Sequence, residues 1–579
     1  MTNYAERPWT KSYDAGVPTK LDYPEAPLHQ FLGESAKRLP NRDVLITSAE
    51  LPVVGRIAKS VTYSELDRWS DALAVALIDL GLKKGDRVAI VMPNCVAFAV
   101  GFYAILKAGG VVAATNPTYP ADKMQYQIDD CDAEIVLTLT LFYDLVKQVQ
   151  PKTKVKHVIV ANIKEYLPGL AKLLFTLARE KKDGHYLESV KSGDHWFQEL
   201  LKKYDGRKPD VKVTPDDLCL FQYTGGTTGV SKAAMSTHRS LTANIIQQNA
   251  VLSVDNVPGE DEIFLGAIPM FHVFGMVAVL SNAVRMGSKI ILIVNARDIG
   301  DVIGAVDKFK PTLFHGVPAL YNAINNHPKI TSGEVKLNSI RLCVSGSAPL
   351  PPATKVEFER LTGGRLLEGF GMSEAPTATH VNPINGENRT GSIGLPLPDT
   401  DMLIVDVEDG VTPVPVGEPG ELLMSGPQVM KGYHKMPTET SNSLREIGGK
   451  LWLFTGDIAR MDDDGYFYIV DRKKDMALIG GYNVYPNAVE KVLKDHPAVL
   501  EVGVAAVPHP ERVGQEALKA WIVLKPGMSA TPEELIKHCE GHLAQYEIPR
   551  RFGFIDELPK TVVGKTLRRE LIRLETEGQ

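Results

Sequence analysis

"LCLFQYTGGTTGVSKAA", Leu218 to Ala234, joins an apolar, strand-like run to a loop of glycines and threonines that ends at Lys232. Glycine lets backbone N–H groups converge on phosphate oxygens without side-chain obstruction. Gly225, Gly226 and Gly229 give that close approach, Thr224, Thr227 and Thr228 add hydroxyl donors, and Lys232 adds a compact positive charge. The run therefore predicts a phosphate loop at a strand end, although the same composition also describes a plain polar turn. A Walker A loop needs glycine immediately before the lysine, and Ser231 stands there, which excludes a Walker-type ATPase.

Upstream of the loop, helical and strand-like segments alternate. In "YSELDRWSDALAVALIDLGL" (Tyr63 to Leu82), Leu66, Trp69, Leu73 and Leu77 share a helical face, while "DRVAIVMPN" (Asp86 to Asn94) and "AEIVLTLT" (Ala133 to Thr140) read as strands. "KIILIV" (Lys289 to Val294) and "IRLCVSG" (Ile340 to Gly346) are further strand candidates. Helices between strands predict an α/β fold with substantial parallel sheet. From about Gly391, short apolar runs between Gly, Pro and Asp predict a β-rich segment. The charged "DRKKD", Asp471 to Asp475, marks a domain boundary, and the hundred or so residues beyond it have their own helix–strand alternation. The division is residues 1–470, the boundary segment 471–475, and a small α+β domain at 476–579.

The length of 579 residues calls for more than one core. A net charge of −6 from 64 basic and 70 acidic residues, without clusters, points away from nucleic acid. Five scattered cysteines suit neither a disulfide framework nor a zinc site and fit a reducing cytoplasm. The polar start lacks a signal-peptide core, and "CVAFAVGFYAIL" (Cys95 to Leu106) is too short to span a bilayer. "LPGLAKLLFTLAREKK" (Leu167 to Lys182) is amphipathic, with Leu167, Leu170, Leu174 and Leu177 on one face and Lys172, Arg179, Lys181 and Lys182 as basic residues. It reads either as a surface helix packed on its own domain or as a membrane-surface helix, which would put the protein at the inner face of the membrane.

The loop is followed by "PMFHVFGM" (Pro269 to Met276), "GSAPL" (Gly346 to Leu350), "EGFGMSE" (Glu368 to Glu374), "WLFTGDIA" (Trp452 to Ala459) with "VDRKKDM" (Val470 to Met476), and "PKTVVGKTLRREL" (Pro559 to Leu571). In this order the motifs resemble those of the adenylate-forming superfamily: acyl-CoA synthetases, luciferases and peptide-synthetase adenylation domains. The resemblance implies that family's fold, a large N-terminal domain of several subdomains and a small mobile C-terminal domain. It also implies a two-step reaction in which a carboxylate attacks the α-phosphorus of ATP and a thiol then displaces AMP. Ser231 and Ala233 replace the Pro and Gly that many relatives have around the lysine.

Site roles follow from the same resemblance. Lys565 is the catalytic lysine bridging substrate carboxylate and α-phosphate, and Glu374, with Thr224, holds Mg²⁺. Gly346, Ser347 and Ala348, with Glu368, Gly369, Phe370, Gly371, Met372 and Ser373, form the nucleotide wall, Phe370 facing adenine. Asp457 and Arg472 take the ribose hydroxyls; without the motif, Asp457 would read as a turn or cap residue. Lys474 is the hinge, and Gly480, Gly481 and Tyr482 border the CoA pantetheine arm. His272 corresponds to the mouth of the acyl pocket, or is a core histidine.

"FHVFG" carries no Asp to pair with an α-amino group, which disfavours amino-acid activation. "GPQVMKGYHKMPTET" and "IVDRKKDMALIGGYNVYPNAVE" are similar to bacterial long-chain fatty-acid–CoA ligases, a branch in which homodimers are common. Alternatives are a medium-chain or aryl-CoA ligase, or an acyl-AMP ligase serving a carrier protein. A binding protein that keeps only the fold is opposed by the intact Lys232, Glu374, Asp457, Arg472 and Lys565.

Overall fold

The computed structural model describes residues 4–51, 54–224, 231–253, 262–479, 482–509, 516–560 and 566–577. Among them, the strands form large sheets of seven and nine strands, a five-stranded sheet, a two-stranded ribbon and a three-stranded sheet.

At the centre of the seven-stranded sheet, Arg87–Val91 runs parallel to both Val111–Ala114 and Ile135–Leu139. Val88 to Val91 are fully buried, as expected where helices cover both faces of a parallel sheet. Leu218–Tyr223 lies parallel to Val111–Ala114, and Ala233–Thr237 returns antiparallel at the edge. The opening stretch of sequence is thus a hairpin-like excursion from this sheet. Every residue of the helix Val96–Lys107 is buried, so the longest apolar run is a core helix. Lys107 at its end is also buried, with carboxylate partners in Asp67 at 2.6 Å and Asp71 at 2.7 Å. Tyr63–Asp79 is capped by a reciprocal Thr62–Glu65 box and buries Leu66, Leu73 and Leu77.

The second large sheet has a parallel centre comprising Lys289–Leu292, Ile263–Gly266, Leu313–Gly316, Leu342–Ser345 and Arg365–Phe370. Beyond Phe370, His380–Val381 and Leu395–Pro396 pair antiparallel. The region after Gly391 forms the five-stranded antiparallel sheet, in which Lys450–Met461 pairs with Gly420–Ser425, Leu444–Ile447 and Phe467–Arg472. Asp457 therefore sits inside a strand, not in a turn or at a helix cap, because the Thr-Gly before it is absorbed into a register shift of the ladder with Gly420–Ser425.

The C-terminal unit packs helices Pro486–Lys494, Pro532–Glu540 and Arg568–Glu577 with the sheet Val499–Pro508, Glu516–Leu524 and Arg551–Phe554. It is tied to the preceding strand by charge. Arg568 contacts Asp471 at 3.4 Å, Asp475 at 3.1 Å and Glu490 at 2.8 Å, and donates to Asn487. The backbone N–H of Asn487 donates to the other oxygen of Asp471 at 2.7 Å.

The amphipathic segment forms the helix Gly169–Ala178, with Pro168 at its start and Leu167 outside it. Its leucines do not pack on the domain. Leu170, Leu173, Leu174 and Leu177 are 48%, 55%, 41% and 76% exposed, and Ala171 is the buried position.

Candidate nucleotide and acyl site

The motif residues lie at strand ends of the two large sheets and within one strand of the five-stranded sheet. At the end of Leu218–Tyr223, Thr224 donates its N–H to the Lys232 carbonyl at 2.9 Å, and the Ser231 hydroxyl donates to the Thr224 carbonyl at 2.6 Å. These two bonds close the neck of the loop; the serine found where relatives have proline is one of the closures. Gly225, Gly226, Thr227, Thr228 and Gly229 lie outside the described residues, as do Gly480, Gly481 and Lys565.

Lys232 pairs with Glu439 and lies 5.1 Å from the centre of the Tyr433 ring. The Tyr433 hydroxyl donates to Glu374 Oε1 at 2.7 Å. Burial, and then the Glu374 charge, push the Tyr433 phenol well above its ordinary value, so it stays a protonated donor. Neither Tyr433 nor Glu439 was singled out in the sequence, although both lie in "GPQVMKGYHKMPTET". Among the described residues no group of three His, Cys, Asp or Glu side chains is placed to hold a metal ion.

The wall at the end of Arg365–Phe370 is built from backbone. A Cβ on Gly371 would lie 1.4 Å from the Thr377 carbonyl oxygen, so only glycine lets the two chain segments pass. The loop bearing Thr377 is pinned by the buried Asn244: its Oδ1 accepts from the N–H groups of Thr377 (3.0 Å) and Ala378 (3.3 Å), and its amide donates to the Ala378 carbonyl at 2.6 Å. Glu368 is buried, with its carboxylate accepting from the N–H groups of Gly391 at 2.8 Å and Leu350 at 3.4 Å, and burial raises its pKa. Its side chain is engaged in joining loops. Gly369 and the half-buried Phe370 follow it, with Phe370 set edge-on to His380. Met372 packs against a cluster containing Met430 and Tyr433, and Ser373 is half-buried beside Glu374.

Gly346 faces Phe274, 3.3 Å from where a Cβ would stand. Ser347 is exposed in the left-handed region at φ 71°, and Ala348 is half-buried. Phe274 stacks on the buried His315 at 6.0 Å, which links the Gly346 turn to the His272 loop. His272 Nδ1 accepts from the Phe274 N–H at 3.2 Å, and burial lowers its pKa to about 4. The ring is therefore neutral near pH 7. It precedes a π-helical stretch, Phe274–Ser281, of the kind often found at functional sites.

Asp457 and Arg472 are register partners on adjacent strands, with Nε and Oδ1 2.6 Å apart. Asp457 is 1% exposed. Lys474 lies exposed in the turn after Arg472, and Tyr482 is exposed with its ring stacked 4.5 Å from that of Tyr546.

The chain matches the AMP-binding enzyme family over residues 32–434 and the AMP-binding enzyme C-terminal domain over 488–565. It is 38% identical to a long-chain-fatty-acid–CoA ligase of Bacillus subtilis (strain 168), covering 99% of each chain. It is 37% identical to a long-chain-fatty-acid–CoA ligase of Yersinia pestis, covering 98% of each. Among solved structures it is similar to ATP-bound MatB from Rhodopseudomonas palustris, with a TM-score of 0.80 and 26% identity over 95% of this chain and 99% of that one. Six motifs in order, a fold that gathers those of them that are described, and a family match over most of its length agree: the chain belongs to the AMP-binding enzymes of the adenylate-forming superfamily.

Proposed function

We propose that this chain is an AMP-forming long-chain fatty-acid–CoA ligase. The observation that carries the reading is end-to-end similarity, at 37–38% identity, to relatives of that name. In the first step a fatty-acid carboxylate oxygen bonds to the α-phosphorus of ATP and pyrophosphate leaves. In the second, the CoA thiolate attacks the acyl carbon and AMP leaves.

The difficulty of the first step is repulsion between an anionic nucleophile and a polyanion, which calls for fixed positive charge and donors around the phosphorus. Lys232 and the loop after Thr224 would hold the outer phosphates, and Lys565 would bridge the carboxylate and α-phosphate. Mg²⁺, held by Glu374 and Thr224 with phosphate oxygens, would supply further charge neutralisation. Asp457 would accept from the ribose hydroxyls, with Arg472 beside it, while Phe370 and the Gly346–Ala348 turn would flank adenine. Neutral His272 would stand at the acyl mouth without adding charge there. Between steps, residues 476–579 would turn about Lys474 and bring the segment around Gly480, Gly481 and Tyr482 to the CoA arm.

The test is purified protein with Mg·ATP and carboxylic acids from acetate to oleate, with coumarate included, following pyrophosphate and acyl-CoA. Long-chain acyl-CoA that forms only with CoA present is the expected result. Pyrophosphate and acyl-AMP without acyl-CoA would replace this reading with an acyl-AMP ligase.

A membrane-surface role for Gly169–Ala178 belongs to the same proposal. Its exposed leucines adjoin Lys181 and Lys182, whereas Lys172 and Arg179 are already paired with Glu165 and Asp183. Lys181 lies over the Tyr186 ring at 4.5 Å, and both it and Lys182 are exposed without a carboxylate partner among the described residues. Long-chain acids partition into bilayers, so an apolar face flanked by such cations suits an anionic lipid surface. In flotation with vesicles containing phosphatidylglycerol, Leu173→Gln/Leu174→Gln is expected to lose most of the binding while keeping turnover of a soluble, shorter acid; unchanged flotation removes this role.

A further inference from the structure

Residues 430–434 form a strap stitched to both halves of the phosphate site. The Met430 N–H donates to the Glu374 carbonyl at 2.8 Å. Lys431 N–H donates to the Met235 carbonyl at 2.8 Å, Met235 N–H to the Gly432 carbonyl at 2.9 Å, and His434 N–H to the Ala233 carbonyl at 2.9 Å. The strap therefore runs antiparallel along the strand that begins just after Lys232, with Tyr433 bridging Ala234. It is anchored in turn to the helix Pro437–Ser443, where the Thr440 hydroxyl accepts from the Tyr433 N–H at 2.9 Å. That helix carries Glu439.

Two side chains from this region touch both charged groups of the site. Tyr433 is 7% exposed; its hydroxyl engages Glu374 from 59 positions away in the chain, and its ring faces the Lys232 ammonium. Glu439 reaches Lys232 across 207 positions. The Tyr433 hydroxyl donates to one carboxylate oxygen of Glu374, Oε1, and so restrains the orientation of the group. Glu439 is a carboxylate set against the same ammonium that an incoming phosphate must engage.

We propose that the 430–443 segment tunes triphosphate binding through two opposed contacts: Tyr433 is a positioning residue that orients Glu374 toward the metal-bound nucleotide, and Glu439 competes with the outer phosphates for Lys232. This rests on the ATP-dependent reading above. The competition follows from charge alone. A lysine already neutralised gains less from a phosphate, and like charges at one ammonium repel. The orientation follows from geometry, since a charge-assisted hydrogen bond from a buried hydroxyl restrains the rotation of a carboxylate.

The experiment is calorimetric titration of the full-length chain with Mg·ATP, with ATP in excess chelator and with AMP, supported by Mn²⁺ electron paramagnetic resonance of the ATP complex. Tyr433→Phe keeps the ring and should weaken Mg·ATP binding about tenfold, the scale of one hydrogen bond to a charged group. Metal-free ATP and AMP should bind it as they bind the parent, and its Mn²⁺ signal should shift toward that of the protein-free complex. Glu439→Gln should bind ATP about threefold more tightly, the scale of one partly exposed ion pair, with AMP unchanged. Equal weakening of AMP and Mg·ATP by Tyr433→Phe would make the tyrosine merely structural and overturn its part. Weaker ATP binding by Glu439→Gln would overturn the competition. Glu439 is partly exposed, so this second variant tests the idea even if Tyr433→Phe folds poorly. A parent chain that binds no ATP would instead overturn the function proposed above, a result distinct from any difference between variants.

Discussion

The proposed adenosine end and the proposed phosphate end of the site are held in opposite ways. At the adenosine end, position is set by the main chain and by fully buried polar groups: Gly371 against Thr377, Asn244 on the 377–378 loop, Asp457 inside its strand. At the phosphate end, the loop neck and the 430–434 strap fix the backbone, but the charged side chains are placed by side-chain contacts, Lys232 by Glu439 and Glu374 by Tyr433. A part fixed by backbone is either correct or broken, because close-packed segments have no slack. A part fixed by mutual side-chain contacts can be graded. The first arrangement suits recognition of one nucleoside, and the second suits a triphosphate whose charge must be gripped and later released.

The comparison is broken most directly at Gly371. Gly371→Ala should destabilise the protein by about 3 kcal/mol, the upper range for overpacking, and abolish AMP binding with it. A normal melting temperature together with normal AMP affinity would show that the wall yields and that the contrast is false. Asp457→Asn comes next. It leaves the Arg472 guanidinium without its closest counter-charge, and since Arg472 is part-exposed the expected loss is about 2 kcal/mol of AMP affinity, or roughly thirtyfold, measured by titration. A loss confined to thermal stability would make the pair a strut rather than a ribose contact. The Tyr433 and Glu439 variants should give the smallest effects, changing the response to triphosphate but not to AMP. Full loss of binding in either would place the phosphate end in the same rigid class.

What the sequence disclosed follows the same division. Local patterns were legible: the buried runs of Arg87–Val91 and Ile135–Leu139, the amphipathic face of Tyr63–Asp79, and the apolar strand that ends at Tyr223 are each set by neighbours in the chain. The motif order also located Asp457 and Arg472, which prove to be paired across two strands. Less was legible where the partner comes from far away. Nothing near Gly371 announces that Thr377 folds back onto it, nor does the segment around Glu374 announce Tyr433. Asn244 is one polar residue in a helix that looks unremarkable, and burial alone reveals its task. For the leucine-bearing helix Gly169–Ala178 the sequence left two readings open for a related reason: periodicity shows that a face exists but not whether the fold covers it.

Arg568 has a consequence for timing. Asp471 and Asp475 lie on either side of Lys474, and Arg568 holds both, while Asp471 also accepts the Asn487 N–H. If the C-terminal unit turns about Lys474, Asp475 and Arg568 travel together, but Asp471 stays with the strand that ends at Arg472. Arg568 and Asn487 must leave a fully buried carboxylate before the turn can proceed. Separating a charge from its buried counter-charge costs several kcal/mol, whereas rotation of a lysine's backbone separates no charges. The interval between turns would then be governed by how often one arginine lets go, which makes the joint a clock as well as a pivot.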